Sequence, residues 1–413
     1  MMKDINKNIE INANKNIKIN ANIKINIFLY LYLYLVLLAP LFFPCGICAA
    51  DSVEVSTAVT AARTSGEPFS EIAGASFYLA QLNCMITDIS GKFRMGNGFI
   101  EAAGIKFKIF SSEFEARGIV ARGSNEHNFR VTSDALKIED IKKIFPVLAA
   151  FDVIAELKLD CLVKGKADSP IIDVKIESDS AVFDLSRFKS ELKKIKTGKV
   201  KLNVLSANHK YEIKNFSFGV MEGFAVLSGI YDSQKTSEAF LNFKADKINA
   251  ALLSSYFSAY DKKVSGILSA DFKIKNAASF KNFTAAGKLS FLNGVLKDFD
   301  FLKKIGEKLK TPIEKLNYSY IGGDIQASAG GAKISFKDFS LNSDIIKLKA
   351  DGDIDENSMI EAKVFAEAEG AFLANKIGNK KFSAFLQKAV SAVKLNFILS
   401  GPAANPKIDL DIK

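Results

Sequence analysis

Hydrophobic and polar residues alternate along most of the chain after residue 51. In "AELKLDCLVKG", the apolar residues from Ala155 to Val163 occupy every second position, and most residues between them are charged. The same alternation returns in "PIIDVKIESD", "KVKLNVLS", "GILSADFKIKN", "AKISFKDFSLN" and "AVKLNFILSG". Because successive side chains of a strand point to opposite sides, this pattern predicts half-buried antiparallel strands with one apolar and one polar face.

Polar stretches such as "SANHK", "NAASFKN" and "DENS" separate these strands, as hairpin turns would. Helical periodicity, with apolar residues three and four positions apart, occurs in only four segments: 140–151, 249–261, 298–312 and 375–393. The fold class that follows is mainly β, an antiparallel sheet with a few short amphipathic helices.

Two kinds of unit recur along the chain. Residues 129–165 and 241–276 both run strand, Asp, short helix, strand, and residues 213–232 resemble 336–355, with Gly229 matching Gly352. Such internal similarity predicts a repeated, quasi-one-dimensional sheet rather than one closed globule.

The first 50 residues differ from the rest. A Lys- and Asn-rich lead precedes an apolar block, and Ile27 to Ala39 has the length of a signal-peptide core but is too short to span a bilayer by itself. Small residues before Asp51 favour cleavage there, and an inner-membrane anchor formed by residues 27–50 is the alternative. The sequence thus predicts three parts: a signal peptide or anchor (1–50), a first β-repeat region (51–235) and a carboxy-terminal β-groove region (236–413), with an exported body.

The net charge of +10 raises the question of a nucleic-acid partner. Most of the lysines outside the first 50 residues stand singly between apolar residues, as on the solvated face of a strand. This distribution argues against a nucleic-acid groove, which would concentrate Lys and Arg in one patch.

The sequence offers little for catalysis or for a bound metal. His127 and His209 are the two histidines, both in polar stretches, and neither stands in a ligand spacing. The segment "DGDIDENSMIEA" begins like a calcium loop, but Glu356 replaces its glycine and Ala362 its last carboxylate, so an acidic hairpin is the better prediction. We expect neither an enzyme nor a cofactor.

Two of the four cysteines lie in the first 50 residues, which leaves Cys84 and Cys161 in an oxidising compartment. A disulfide between Cys84 and Cys161 and two apolar strand residues kept apart by the fold are both compatible with the sequence. Cys161 is in phase with the apolar face of its strand, which favours separate thiols.

Two segments near the carboxy terminus resemble a known family. "GKLSFLNGVLKDFDFLKKI" (287–305), with a turn expected at Asn293-Gly294, and "LNFILSGPAANPKIDL" (395–410) are similar to the carboxy-terminal region of AsmA-like proteins of diderm bacterial envelopes. The resemblance covers 240–413, with a looser copy at 129–176. It implies an elongated, curled sheet of repeated units that forms an open β-groove and carries lipids between the inner and outer membranes.

The function expected from this resemblance is non-enzymatic. Phospholipids or other acyl lipids would bind in the apolar groove of a periplasmic protein that supports outer-membrane biogenesis. The alternative is a structural or interaction protein, a sandwich or solenoid whose apolar faces pack on each other. The side chains expected to line the groove are Leu268, Ala270, Phe272, Ile274, Val393, Leu395, Phe397, Leu399, Ile408, Leu410 and Ile412.

The last alternating segment, "KIDLDIK", places Ile408, Leu410 and Ile412 on the apolar face and charged residues opposite. It predicts a final strand whose second side is an open sheet edge. Such an edge is a docking point for another copy of the chain or for an outer-membrane partner.

Overall fold

The computed structural model describes fourteen stretches of the chain, and they form one sheet of 20 strands with three short helices. The stretches are 69–79, 84–96, 99–121, 126–144, 152–166, 169–184, 194–235, 238–256, 260–277, 282–308, 313–328, 333–369, 392–403 and 406–410. The prediction of a mainly β, antiparallel fold is therefore confirmed. The first 50 residues and most of the helix predicted at 375–393 lie outside these stretches, and residues 392 and 393 of that prediction belong to a strand.

The described chain falls into two compact units, which divide between Leu241 and Asn242. The amino-terminal unit contains β1 to β11 and α1, which connects β5 to β6. Its elements are β1 Ser70–Leu79, β2 Cys84–Gly96, β3 Phe99–Ile109, β4 Ser112–Ala121, β5 Glu126–Lys137, α1 Ile138–Ile144, β6 Asp152–Lys166, β7 Ile171–Ser178, β8 Ala181–Asp184, β9 Lys194–Ala207, β10 Lys210–Val220 and β11 Gly223–Asp232.

The carboxy-terminal unit contains the remaining strands and two helical connections, and β12 begins just before the division. Its elements are β12 Phe240–Asn249, α2 Ala250–Ser254, β13 Ile267–Lys275, β14 Thr284–Lys297, α3 Asp300–Lys308, β15 Lys315–Ser328, β16 Lys333–Ser343, β17 Ile346–Ile354, β18 Met359–Glu369, β19 Ala392–Pro402 and β20 Lys407–Leu410.

Both units are antiparallel meanders. In the amino-terminal unit, each strand from β1 to β6 pairs with the next along the chain. Strands β7 and β8 both pair with β6 and with β9, so together they form one interrupted strand that lies between β6 and β9. Strands β9 to β11 continue the meander. In the carboxy-terminal unit, the order β13 to β20 follows the chain without a crossover.

Short turns close several hairpins. Asn208 and His209 join β9 to β10 with φ angles of 49° and 64°. Positive φ at both central residues is the geometry of a tight two-residue hairpin turn whose twist matches the flanking strands. The acidic segment at 351–362 is also a hairpin, as predicted, because the Asp355 carboxylate accepts hydrogen bonds from the backbone N–H groups of Asn357 and Met359.

Within each unit, the described helices stand at one end of the strands. In the carboxy-terminal unit, α2 follows β12 and α3 follows β14, and each antiparallel strand reverses the chain direction, so both helices stand at the same end of the strands. We call this the helix end and the opposite one the turn end. In the amino-terminal unit, α1 stands at the end of β5 and defines the helix end there.

The structure shortens one predicted helix and removes a predicted turn. Strand, short helix, strand recurs at β5–α1–β6 and β12–α2–β13, as expected, but α2 ends at Ser254, before the predicted end at residue 261. The turn expected at Asn293-Gly294 is wrong, because both residues lie inside β14. Asn293 has a φ of 49°, so β14 is locally irregular at this residue. The dipeptide Asn-Gly is typical of hairpin turns, and for that reason the sequence predicted a turn here.

A buried carboxylate fastens α1 to the sheet. Asp140 is 2% exposed and accepts hydrogen bonds from the Ser111 backbone N–H (3.0 Å), the Ser111 hydroxyl (2.7 Å) and the Ser112 hydroxyl (2.8 Å) at the β3–β4 turn. The Lys143 ammonium lies 2.9 Å from the same carboxylate. These hydrogen bonds hold the pKa of Asp140 at about 2, against the opposing effect of burial.

Candidate lipid-binding face

The apolar side chains of the carboxy-terminal unit form rows that run across the strands. One row follows the cross-strand pairs from Phe272 on β13 to Ile408 on β20, and each member lies opposite the next. The row consists of Phe272, Gly287, Ile325, Phe336, Gly352, Ala362, Leu399 and Ile408. We call the side of the sheet that carries this and the parallel rows the apolar face.

The apolar face of β13 to β20 carries no charged side chain at any described position in register with this row. Its one phenol is Tyr318, which is 4% exposed and donates a hydrogen bond to the backbone carbonyl of Ser265. Burial raises the pKa of Tyr318 to about 12. The face therefore offers dispersion and hydrophobic contacts and almost no polar recognition.

The amino-terminal unit has an apolar face of its own, which carries a few hydroxyl groups. Ser133 donates to the Glu113 carbonyl (2.6 Å) and Ser178 to the Glu156 carbonyl (2.8 Å). Thr197 donates to the Ala181 carbonyl (3.1 Å). Each of these hydroxyls therefore has a backbone partner, as buried polar groups usually do.

Helices cover part of the apolar face in each unit. Leu302 of α3 is 1% exposed and packs in one cluster with Leu316, Ile346 and Phe397 of the sheet. Ile141 of α1 is 4% exposed and packs with Leu136, Leu157 and Ile176. Because α1 and α3 both lie at the helix end, that half of the face is a closed core in each unit.

The half of the face toward the turn end is more open. In the carboxy-terminal unit, Ile325, Phe336, Ile354 and Leu399 are half-buried, whereas Leu316, Ile346 and Phe397 at the helix end are 0 to 2% exposed. The difference does not hold at every position: Ala362, Ile408 and Ile274 on the turn-end side are 3%, 6% and 7% exposed, and Leu348 and Leu395 on the helix-end side are half-buried.

The structure places most of the predicted groove residues on this one face, at different depths. Leu268, Ala270, Ile274, Phe397 and Ile408 are buried. Phe272, Leu395 and Leu399 are half-buried, and the side chains of Val393 and Leu410 lie outside the described part, as does all of Ile412.

The last strand keeps the register expected from its alternation. Ile408 lies opposite Leu399 and Leu410 opposite Phe397, so β20 continues the apolar face. Among the described strands β20 pairs only with β19, and self-association through this edge stays a prediction.

Cys161 is a free thiol on the apolar face of β6, half-buried in the α1 cluster. Burial, with Asp160 and Asp173 nearby, raises the pKa of Cys161 to about 11. Its strand stands four positions from β2, which contains Cys84, or roughly 19 Å at ordinary strand spacing. A disulfide requires Cα atoms within about 7 Å, so the structure favours separate thiols.

The two histidines occupy different environments. His209 lies in the β9–β10 turn, as expected for a surface histidine. His127 lies instead within β5, opposite Val120 and Gly165, and its Nδ1 is buried and without a hydrogen-bond partner among the described residues. In the described stretches, no group of three or more His, Cys, Asp or Glu could hold a metal ion.

The opposite, polar face carries both positively and negatively charged side chains. The Arg130 guanidinium contacts the Asp160 carboxylate across β5 and β6 (2.5 and 2.6 Å), which lowers the pKa of Asp160. Lys199 lies 3.4 Å from Glu177, and Lys333 lies 2.9 Å from Asp353. Such exposed pairs add little stability but keep one side of the sheet hydrated.

Sequence reasoning found the apolar rows and the two helical segments at 140–151 and 298–312, but it did not predict that these helices pack over the rows. The sequence predicted where α3 lies along the chain but not the surface on which it packs, because a helix of that length can pack on any apolar area. Lys304 of α3 donates to the carbonyl of Pro406 at 2.7 Å, a contact between residues 102 positions apart that no local pattern indicates. In the described part of the chain, no helix has the length and apolar character needed to cross a membrane.

No family model matches the chain, and no curated protein or solved structure is similar to it at a significant level.

Proposed function

We propose that the chain is a non-enzymatic protein of a diderm bacterial envelope that binds or conducts phospholipids or other acyl lipids along its apolar face. In this proposal it acts between the inner and outer membranes and supports outer-membrane biogenesis. The single observation that carries it is the row from Phe272 to Ile408, which crosses eight strands without a charged group.

A sheet with one apolar face must cover that face with a second layer or with a ligand. The described helices are too few and too short to form such a layer. Side chains toward the turn end, such as Phe336, are only half-buried. An acyl chain on this surface gains about 0.8 kcal/mol for each CH₂ that it buries. The export-like first 50 residues support the compartment.

The second candidate is a structural β-repeat protein of the same compartment without lipid. The observation in its favour is the depth of burial at the helix end, where Leu316 and Phe397 are 0% and 2% exposed without any ligand. A face that is entirely closed in this way needs no further occupant.

Lipid analysis of the purified chain separates the two candidates. The full chain is produced in an export-competent host, extracted mildly, and its bound lipid is measured by mass spectrometry. We expect at least one phospholipid per chain in the wild type and a loss of fivefold or more in Phe272→Asp, because a carboxylate on the apolar face repels acyl chains.

Lys273→Asp is the matched control, since it changes charge on the exposed side of the same strand, and we expect its lipid content to equal that of the wild type. A lipid-free, stable wild type would contradict lipid binding and favour the structural candidate. Phe397→Asp is unsuitable for this test, because at 2% exposure a charge there unfolds the unit whether or not lipid binds.

A further inference from the structure

We propose that Asn293 is a site of spontaneous deamidation and that the fold controls the reaction, because β14 must open from β15 before the asparagine can react. The chain contains two Asn-Gly dipeptides, Asn97-Gly98 and Asn293-Gly294, and the second lies within the described stretches. Glycine has no side chain to shield its backbone nitrogen, so an asparagine that precedes glycine deamidates more readily than other asparagines. The reaction does not depend on lipid binding.

Deamidation joins the side chain of Asn293 to the backbone of the next residue. The Gly294 nitrogen attacks Cγ of the Asn293 amide, a new N–C bond closes a succinimide ring, and ammonia leaves with the proton that the nitrogen gives up. Solvent water then opens the ring at either of its carbonyl groups and yields aspartate or isoaspartate. Overall, one amide and one water give one carboxylic acid and one ammonia.

The asparagine itself is accessible in the folded chain. Asn293 is exposed, and its φ of 49° marks an irregular point of β14. The ladder between β14 and β15 skips this residue, since Leu292 pairs with Tyr320 and Gly294 pairs with Tyr318 on either side of it. The electrophilic carbon of the reaction therefore meets solvent without any unfolding.

The nucleophile, in contrast, is held in the ladder. Antiparallel partners alternate between hydrogen-bonded and non-hydrogen-bonded pairs. The Asp298 N–H donates to the Glu314 carbonyl at 3.0 Å, and Gly294 pairs with Tyr318 an even number of residues away in the same register. The alternation therefore directs the Gly294 N–H to the Tyr318 carbonyl, across the sheet and away from the Asn293 side chain.

Packing around Gly294 leaves no room for ring closure. A Cβ atom at this position would overlap the Ser265 carbonyl oxygen and the Tyr318 hydroxyl. Tyr318 is 4% exposed, and its hydroxyl donates to the same carbonyl of Ser265. Ser265 also bonds to the next residue of β14, because its N–H donates to the Val295 carbonyl (3.0 Å) and its hydroxyl accepts from the Val295 N–H (3.1 Å). The peptide group that rotates during ring closure is free only when these contacts open.

A reacted strand could not close again in its original register. Isoaspartate inserts an additional carbon atom into the backbone between Leu292 and Gly294. The pairs of these two residues with Tyr320 and Tyr318 then no longer fit together. Deamidation at Asn293 thus leaves a permanent covalent record that β14 has opened.

Peptide mapping by mass spectrometry tests the proposal on the full chain. The chain is incubated at pH 8 in buffer and in guanidinium chloride, and the conversion of Asn293 to aspartate and isoaspartate is followed over time. Asn97, in the same denatured sample, supplies the rate of an Asn-Gly dipeptide without tertiary structure, and we expect both residues to react there at similar rates. In buffer, we expect Asn293 to react at least tenfold more slowly than in guanidinium chloride. A smaller difference would overturn control by the fold, and no reaction of Asn293 in guanidinium chloride would overturn the site.

A pair of tyrosine variants tests the contact at Gly294. Tyr318→Phe removes the hydroxyl that meets Gly294 and Ser265 but keeps the ring, and we expect Asn293 to deamidate at least threefold faster in buffer than in the wild type. Tyr320→Phe is the matched control on the same strand, and its rate should equal that of the wild type. Circular dichroism confirms that both variants are folded. Equal rates in folded Tyr318→Phe and in Tyr320→Phe would show that the phenol does not protect the site.

Discussion

At the scale of single residues, Asp140 has the most polar contacts of the buried side chains. Its pKa of about 2 lies below the ordinary value of 3.8, so the folded state favours the ionised form. The resulting stabilisation, about 2 kcal/mol, is present above pH 4 and is lost as the pH falls from about 4 to 2. We expect Asp140→Asn to lower the free energy of unfolding by a similar amount at pH 7, measured by urea denaturation.

Urea denaturation at pH 2.5 tests whether the stabilisation depends on the charge of Asp140. Since the wild-type carboxylate becomes protonated there on unfolding, the difference between wild type and Asp140→Asn should shrink. Asp134→Asn, on the exposed side of β5, is the control and should change stability by less than about 0.5 kcal/mol at either pH. A pH-independent effect of Asp140→Asn would show that shape, not charge, matters at this site.

Tyr318 gives a second residue-scale prediction, at the other end of the pH range. Its pKa of about 12 exceeds the ordinary 10.0, so the folded state favours the neutral phenol. The stability that it provides is complete below pH 10 and is lost as the pH rises from 10 to 12. Wild type should therefore lose more stability between pH 9 and 11.5 than Tyr318→Phe does, by roughly 2 kcal/mol, in urea titrations followed by circular dichroism.

Tyr260→Phe is the control for the alkaline titration, because Tyr260 is 48% exposed. Its pH dependence should match that of the wild type. Parallel curves for wild type and Tyr318→Phe would mean that the phenol stays solvated in the folded chain.

At the scale of elements, α2 and α3 differ in how deeply their leucine side chains are buried. Leu302 of α3 is 1% exposed, whereas Leu252 of α2 is 41% exposed. Removing a buried leucine side chain costs 2 to 5 kcal/mol as a rough range, through lost burial and the cavity left behind. We expect Leu302→Ala to destabilise the carboxy-terminal unit by about 3 kcal/mol and Leu252→Ala by less than about 0.5 kcal/mol, measured as thermal unfolding. Equal effects would mean that α3 does not cover the sheet in solution.

At the scale of the whole molecule, the apolar face predicts binding without head-group selectivity. No described in-register position of β13 to β20 on that face is charged, so the affinity should come from acyl chains alone. The lipids that co-purify with the chain should therefore match the head-group proportions of the host membranes to within about twofold. Mass spectrometry of bound and total lipid measures this, and strong enrichment of one head group would point to polar contacts elsewhere in the protein.

The sequence by itself determined the strand-rich fold, the two faces and much of the register. Period-two alternation around Cys161, and again from Lys407 to Leu410, reports directly on which side of a strand is dry, because side chains of a strand alternate regardless of its neighbours. The repeated strand–helix–strand order was also readable. Asn293-Gly294 misled because a dipeptide typical of turns also suits an irregular strand.

Only the tertiary structure decided how deep each apolar side chain lies. Phe272, Phe336 and Phe397 have the same local pattern, yet the first two are half-buried and Phe397 is 2% exposed. The difference comes from α3, which reaches the cluster through contacts such as Lys304 with Pro406, far apart in the chain. Alternation specifies a face, but the element that covers it depends on long-range packing, which has no local signature.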